Sequence, residues 1–489
     1  MPSGRTSHIH LFAYTCLSVI CASLLPAPAS EISNAGFLYD HFPLTLDEGR
    51  RTESFGPFYY EEVSEAHRVF AVPPLFSHTE GETSDFEEFD FLYPLLTYDR
   101  FGREYRWQLL QLISFSGGQN QESVPRDRFT LFPFYFQQRS PDSDQNYTAL
   151  LPFYGRIKGR LFRDEIFFVM FPLYGQSRKR DVVTDNYAFP FFHLRQGDNL
   201  RGWQFWPLIG EEHKGITTRT ISFGETELVG GHKRFFAFWP FYFNQTAGIG
   251  TENTEWKHGL LPFYSVLRSP NRDSTTALWP FFNWIDDRER QYHEWQMPWP
   301  LVVVARGEGK TATRFWPLFG RAHSDMLESN FYLWPLYKYN RVHSDPLDRE
   351  RTRVLLFLYS DVNEKNTETG RVRERTALWP LFTHRREFDG NSRLQILALL
   401  EPVLPLSKSV ERNWSPLWSL WRSENNPTTG AASQSLLWNL YRRETTPASR
   451  KCSLLFGLFQ YSSEAEAKRF RLFYIPFGKS QTPANTISE

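Results

Sequence analysis

The sequence predicts an all-β fold: a repeat-built antiparallel meander of about 20–23 short strands with a period of about 19 residues, closed or strongly coiled and outer-membrane β-barrel-like. Three observations predict it. An aromatic-proline-aromatic phrase recurs along the chain, stretches rich in charge, Asn, Asp and Gly separate its copies, and no segment after the N-terminus sustains a helical period.

The phrase reads LLPFYG at 150–155, FPLYG at 171–175, LWPFF at 278–282, RFWPLFGR at 314–321, LWPLY at 333–337 and LWPLF at 378–382. Its central prolines are the repeat anchors: Pro152, Pro172, Pro207, Pro240, Pro262, Pro280, Pro317, Pro335 and Pro380, with Trp206, Trp239, Trp279, Trp316, Trp334 and Trp379 beside six of them. Further copies centre on Pro57, Pro74, Pro94, Pro133, Pro190, Pro300, Pro402 and Pro476, and degenerate ones on Ile113, Phe223, Phe357, Ser419, Asn439 and Gly457. Such regularity is the mark of a repeat architecture. A propeller blade is built from four unlike strands, and a solenoid coil needs several inward strands. One apolar block per period fits equivalent strands joined by hairpins, and closure into a barrel removes the exposed edges.

Two features resist a water-filled barrel. Around Pro317, one strand face would carry Phe315, Pro317 and Phe319 and the other Trp316, Leu318 and Gly320, so both faces are apolar where a porin alternates. Proline lacks a ladder donor and belongs at strand starts, edges or bends. The proline therefore marks a bend or strand start, with each unit two short strands meeting at a corner.

Domain organisation follows from composition. Residues 1–29 read as a signal peptide: an apolar run, LFAYTCLSVICASLL, followed by Ala27-Pro28-Ala29. Residues 30–50 read as a linker, 51–478 as a single β-repeat domain, and 479–489 as a tail. Cleavage leaves Cys452 alone, which excludes an intramolecular disulfide and a cysteine-based metal site. The chain has 55 basic and 55 acidic residues, so overall charge makes no case for nucleic acid or an anionic surface. Aromatic residues make up 17% of it.

Motifs for chemistry are sparse, and neither a catalytic set, a cofactor site nor a metal site is expected. ARGEGKT (305–311) has Val304 where a phosphate loop needs glycine and reads as a charged turn. The paired tails Arg321-Ala-His-Ser-Asp325 and Arg341-Val-His-Ser-Asp345 place His323 and His343 one period apart; on neighbouring antiparallel strands they would fall at opposite ends. DFEEFDF (85–91) clusters four carboxylates, with Glu88 and Asp90 on one strand face and Asp85 and Glu87 on the other. Trp256, Trp284 and Trp295 are read as turn aromatics able to stack on sugars.

The function expected is that of an exported, non-enzymatic β-repeat protein, an integral outer-membrane barrel of a Gram-negative bacterium with a structural or pore role. The alternative is a soluble periplasmic or cell-surface protein that binds glycan or another envelope component. Its partners are then envelope lipid or glycan, with no nucleic acid.

Overall fold

The computed structural model describes residues 34–119, 124–220, 226–464 and 467–477. The stretch read as a signal peptide with its expected cleavage site, the copy at Phe223 and the stretch read as a tail lie outside them. The fold is an all-β antiparallel meander; the described residues form forty-five strands, forty-three of them in one sheet, each hydrogen-bonded to the next along the chain. Two elements interrupt the run. A two-stranded hairpin, Thr217–Thr220 with Thr226–Val229, sits between Ile209–Lys214 and Gly231–Ala237. Two short helices, α1 (Lys408–Asn413) and α2 (Ser415–Trp418), sit between Ser392–Ile396 and Trp421–Asn426. The first strand, Asp40–Pro43, falls within the stretch read as a linker.

The strand count is about twice the 20–23 expected, and the reason is local. The phrase is not the centre of a strand. Phe315 ends one strand, Trp316-Pro317-Leu318 makes the reversal, and Phe319 opens the next, paired back with Phe315. Each period is therefore a hairpin of two short strands, usually of about six residues. The corner inferred from proline chemistry is present, and it is a full turn. Proline loses nothing there, because its missing N–H faces no ladder position. All the anchors except Pro57, Pro402 and Pro476 follow a cis peptide bond. Some turns have three residues; others have four, as at Met170–Leu173, where Met170 takes a left-handed φ of 48° and Leu173 N–H donates to Met170 C=O at 2.8 Å.

Successive turns are also bonded to one another. Phe171 N–H donates to Pro152 C=O (2.6 Å), Phe189 to Pro172 (2.7 Å), Trp239 to Pro207 (2.6 Å), Trp279 to Pro262 (2.7 Å) and Trp334 to Pro317 (2.7 Å). The phrase recurs because each copy is one rung of a ladder of turns along one rim of the sheet. The opposite rim is made of tight reversals such as Arg180-Asp181 and Asp198-Asn199, whose Arg180, Asp198 and Asn199 have positive φ. This two-strand repeat corrects the expectation for His323 and His343. Both lie toward the charged rim, two strands apart, with Leu327–Tyr332 between them.

Alternation, masked in the phrase, is clear within the strands. One face carries, next to the proline turns, an apolar row: Tyr154, Val169, Tyr174, Tyr187, Phe192, Phe205 and Ile209 are consecutive partners, and Phe315, Phe319, Tyr332, Tyr337, Val354 and Tyr359 continue the pattern further on. Cross-strand aromatic contacts knit the row, with ring centroids 5.2 Å apart at Tyr174–Tyr187 and 5.8 Å at Tyr187–Phe192. The other face carries small and polar residues at the matching height, with phenylalanine rings laid over glycines. A Cβ at Gly320 would stand 2.1 Å from the Phe331 ring and one at Gly210 2.3 Å from Phe236. That contact is the local reason for glycine after the phrase.

The sheet is open, which corrects the expectation of closure by strand pairing. Its ends meet through side chains instead. Thr45 Oγ1 donates to Ser433 Oγ (2.7 Å), Asn439 Nδ2 to Glu53 (2.8 Å), and the Arg442 guanidinium lies 3.3 Å over the Phe42 ring. Phe37 packs edge-on against Phe456. The small-residue face thus faces itself where first and last strands overlap, and we call it the inner face.

Candidate functional site

Three features of the sheet are candidates for function: the proline-turn rim, the clasp between the chain ends, and the arginines of the inner face.

The rim exposes its large apolar side chains. Leu173 is 62% exposed, Phe238 65%, Phe241 55% and Trp279 48%. Trp206 is half-buried, while Trp239, Trp316, Trp334 and Trp379 are exposed. The anchors Pro152, Pro172, Pro207, Pro240, Pro262, Pro280, Pro317, Pro335 and Pro380 all lie in the turns of this rim. The structure thus brings the anchors together as one edge of the sheet. With the apolar row beside the turns, the exposed belt is about 10 Å tall, from three residue heights of roughly 3.3 Å. Beyond it the outer face is mixed: Arg156, Gln176 and Asp185 share a row with Phe167, Leu194 and Trp203, and the next row carries Lys158, Glu165, Arg178 and Val183. Isolated apolar residues on a surface need no explanation, but a continuous exposed belt does.

The clasp is built by α1. Ser407 caps its N-terminus by accepting from Val410 N–H, and the helix presents Arg412 and Asn413 to the first strands. Arg412 donates to Glu88 (2.6 Å), Thr79 (2.8 Å) and Asp90 (3.2 Å), and the fully buried Asn413 donates to Asp90 (3.0 Å). The DFEEFDF cluster is therefore split as its alternation implies. Glu88 and Asp90 face inward onto α1, while Asp85 and Glu87 face outward and accept from Arg100 at 2.6 and 3.0 Å. Glu87 also bonds His78 at 2.8 Å; with Glu80 these form three ligand-type groups within 4.8 Å of one another, and Arg100 already compensates Glu87.

Behind α1 a cavity of about 400 Å³ has walls from both chain ends, including Arg51, Tyr60, Glu62, Arg393, Glu411 and Arg422. Burial would raise the Glu424 carboxyl, yet Arg422 and Arg393 hold it down at about 2. Burial pushes Asp40 up to about 7 against the pull of Arg442. The cavity is a charge-paired joint; on its wall His67 lies 3.2 Å by Nδ1 from Ser64 Oγ and 3.7 Å by Nε2 from Glu62.

Next to the joint, the inner face is richer in arginine than its paired carboxylates need. Strand Leu347–Val354 places Arg349, Arg351 and Arg353 on this face, and Val372–Leu378 places Arg373 and Arg375. Glu364 takes Arg349 (3.2 Å) and Arg373 (3.6 Å). Among the described residues, no carboxylate pairs with Arg351, Arg353, Arg375 or the neighbouring Lys338. This array was missed in the sequence because the overall charge is balanced. The signal was nevertheless present as the two-residue spacing of R-E-R-T-R (349–353) and R-V-R-E-R (371–375).

The tryptophans read as turn aromatics sit elsewhere. Trp256, Trp284 and Trp295 are strand residues of the outer face, Trp284 paired with Trp295, and Trp256 bonded to Asn244 and stacked on His258. Val304 and Ala305 are strand residues, and the following Glu308–Lys310 makes the charged turn expected. No protein-family model matches this chain, and no curated protein matches it in sequence.

Proposed function

We propose that this is an exported, non-enzymatic β-repeat protein of the cell envelope that seats its proline-turn rim in one leaflet of a lipid layer. The exposed rim carries the proposal: a continuous Trp, Phe and Leu belt about 10 Å tall, the depth to which interfacial elements bury themselves. Aromatic residues at the edge of such a belt suit the headgroup level. A spanning barrel presents an apolar band about 25 Å tall on strands of about 9–11 residues. The strands here are mostly about six residues long and the sheet is open, which favours a rim-seated protein over an integral pore. A glycan-binding role draws support from the exposed outer-face pair Trp284 and Trp295 alone.

The test is flotation of the purified protein with neutral phosphatidylcholine vesicles, comparing wild type with a Trp279→Ser/Trp316→Ser/Trp334→Ser variant. The wild type is expected to float and the variant to lose at least tenfold in bound fraction. Wild type that stays at the bottom of the gradient overturns the seating. Retention after carbonate washing together with a heat-dependent gel shift would instead establish a closed spanning barrel.

A further inference from the structure

We propose that the inner face around Arg351 and Arg375 binds a phosphate-bearing group. The argument begins with register. Lys338 pairs directly with Arg353, and Arg351 and Arg375 are both partners of Val362, on either side of it. Directly paired residues stand about 5 Å apart and alternate residues of one strand about 7 Å, so Arg351 and Arg375 stand about 10 Å apart and the four cations occupy a patch roughly 16 Å across.

Cations this close repel unless something compensates them. The nearby carboxylates are already committed: Glu364 to Arg349 and Arg373, Glu387 to Arg373 and Arg385, and Glu411 to Arg385 and Arg393. Two further observations point to a missing anion. The Nε of Arg351 is buried and has no hydrogen-bond partner among the described residues. Burial, with Arg353, Arg349 and Arg375 beside it, pulls the Arg351 guanidinium down to about 10. Burial likewise lowers Arg375, helped most by Arg349 and opposed by Glu364. Guanidinium groups offer paired donors that match phosphate oxygens, and a phosphate bridging Arg351 and Arg375 would satisfy donors the fold leaves open.

The site does not rest on the lipid seating of the rim, but the two are compatible in position. Lys338 and Arg353 lie on the inner face next to the proline turns, at the height where headgroup phosphates would stand if the rim enters a leaflet. The phosphate therefore has two possible sources, a lipid headgroup or a soluble phosphorylated molecule.

The experiment titrates full-length mature protein with inorganic pyrophosphate by calorimetry. In parallel, binding is measured to phosphatidylcholine vesicles with and without phosphatidylglycerol. Wild type is compared with Arg351→Gln/Arg375→Gln and with Arg443→Gln, an exposed control on the outer face. The double variant is expected to weaken pyrophosphate binding, or the phosphatidylglycerol increment, at least tenfold, while the control stays within twofold. Loss of the pyrophosphate signal alone assigns a soluble ligand; loss of the phosphatidylglycerol increment alone assigns a headgroup. The thermal midpoint of the unliganded double variant is expected to hold or rise, because like charges are removed. Absence of both signals in wild type, or equal losses in the control, overturns the site. Binding to neutral vesicles reports on the rim separately, so failure of one idea is distinguishable from failure of the other.

Discussion

The clasped ends of this sheet and its single-layer middle solve the same problem with different chemistry. At the ends, two stretches more than 300 residues apart press inner face to inner face, and the contact is made largely by polar and charged groups: Arg412 with Glu88 and Asp90 at 2.6 and 3.2 Å, and Asn439 with Glu53 at 2.8 Å. In the middle each strand is stabilised by its two neighbours, with small local clusters such as Phe136, Tyr147, Ala149, Ile157 and Phe168. The middle is quasi-one-dimensional, like other repeat proteins, and its stability is a sum of neighbour terms. The ends add a long-range closure whose parts depend on one another. A charge pair therefore matters in proportion to where it sits.

Breaking the clasp gives the largest expected effect. Arg412→Ala leaves Glu88 and Asp90 facing inward without their cation, and loss of one partner of a buried pair costs about 3–5 kcal/mol. Arg341→Ala removes a pair with Asp348 near the charged rim, where the arginine is 45% exposed, and is expected to cost less than about 1 kcal/mol. Urea unfolding of both variants measures the contrast; equal midpoints would show that the clasp does not contribute to stability.

A middle-sized effect tests the neighbour terms. Gly320→Ala places a methyl group 2.1 Å from the Phe331 ring and forces the ring off its glycine, at a cost of about 1–3 kcal/mol. Amide hydrogen exchange should show the loss confined to the hairpins around residue 320. Loss of protection that reaches the clasp would mean the middle and the ends unfold as one unit.

A further effect is a pH dependence centred on the ends, where two groups are shifted in opposite directions. Glu424 is held down at about 2 in the fold, so its contribution is present above the ordinary value of 4.5 and is lost as pH falls through 2. Asp40 is raised to about 7, so its contribution is present below 3.8 and is lost as pH rises through 7. Thermal midpoints should fall on both sides of a maximum near pH 4. Glu424→Gln should flatten the acid limb and Asp40→Asn the upper one; unchanged limbs would remove these groups from the account.

The sequence by itself determined the class of this fold, its period and the equivalence of its units. A phrase that returns about every 19 residues, with polar clusters between copies, leaves few alternatives to an antiparallel meander. The facing of Glu88 and Asp90 away from Asp85 and Glu87 was also legible, since alternation follows from strand geometry alone. Tertiary structure decided the rest. An apolar run such as FWPLF (315–319) reads equally as a strand centre or as a turn flanked by two strand ends, and periodicity cannot separate them. Only the ladder of turn-to-turn hydrogen bonds resolves it, because those bonds join residues a full period apart. The clasp was hidden for the same reason: nothing near Arg412 in sequence indicates that its partners lie at 79, 88 and 90. The unpaired arginines show the converse, since their spacing was visible but their lack of partners became evident only when Glu364 was seen to be taken by others.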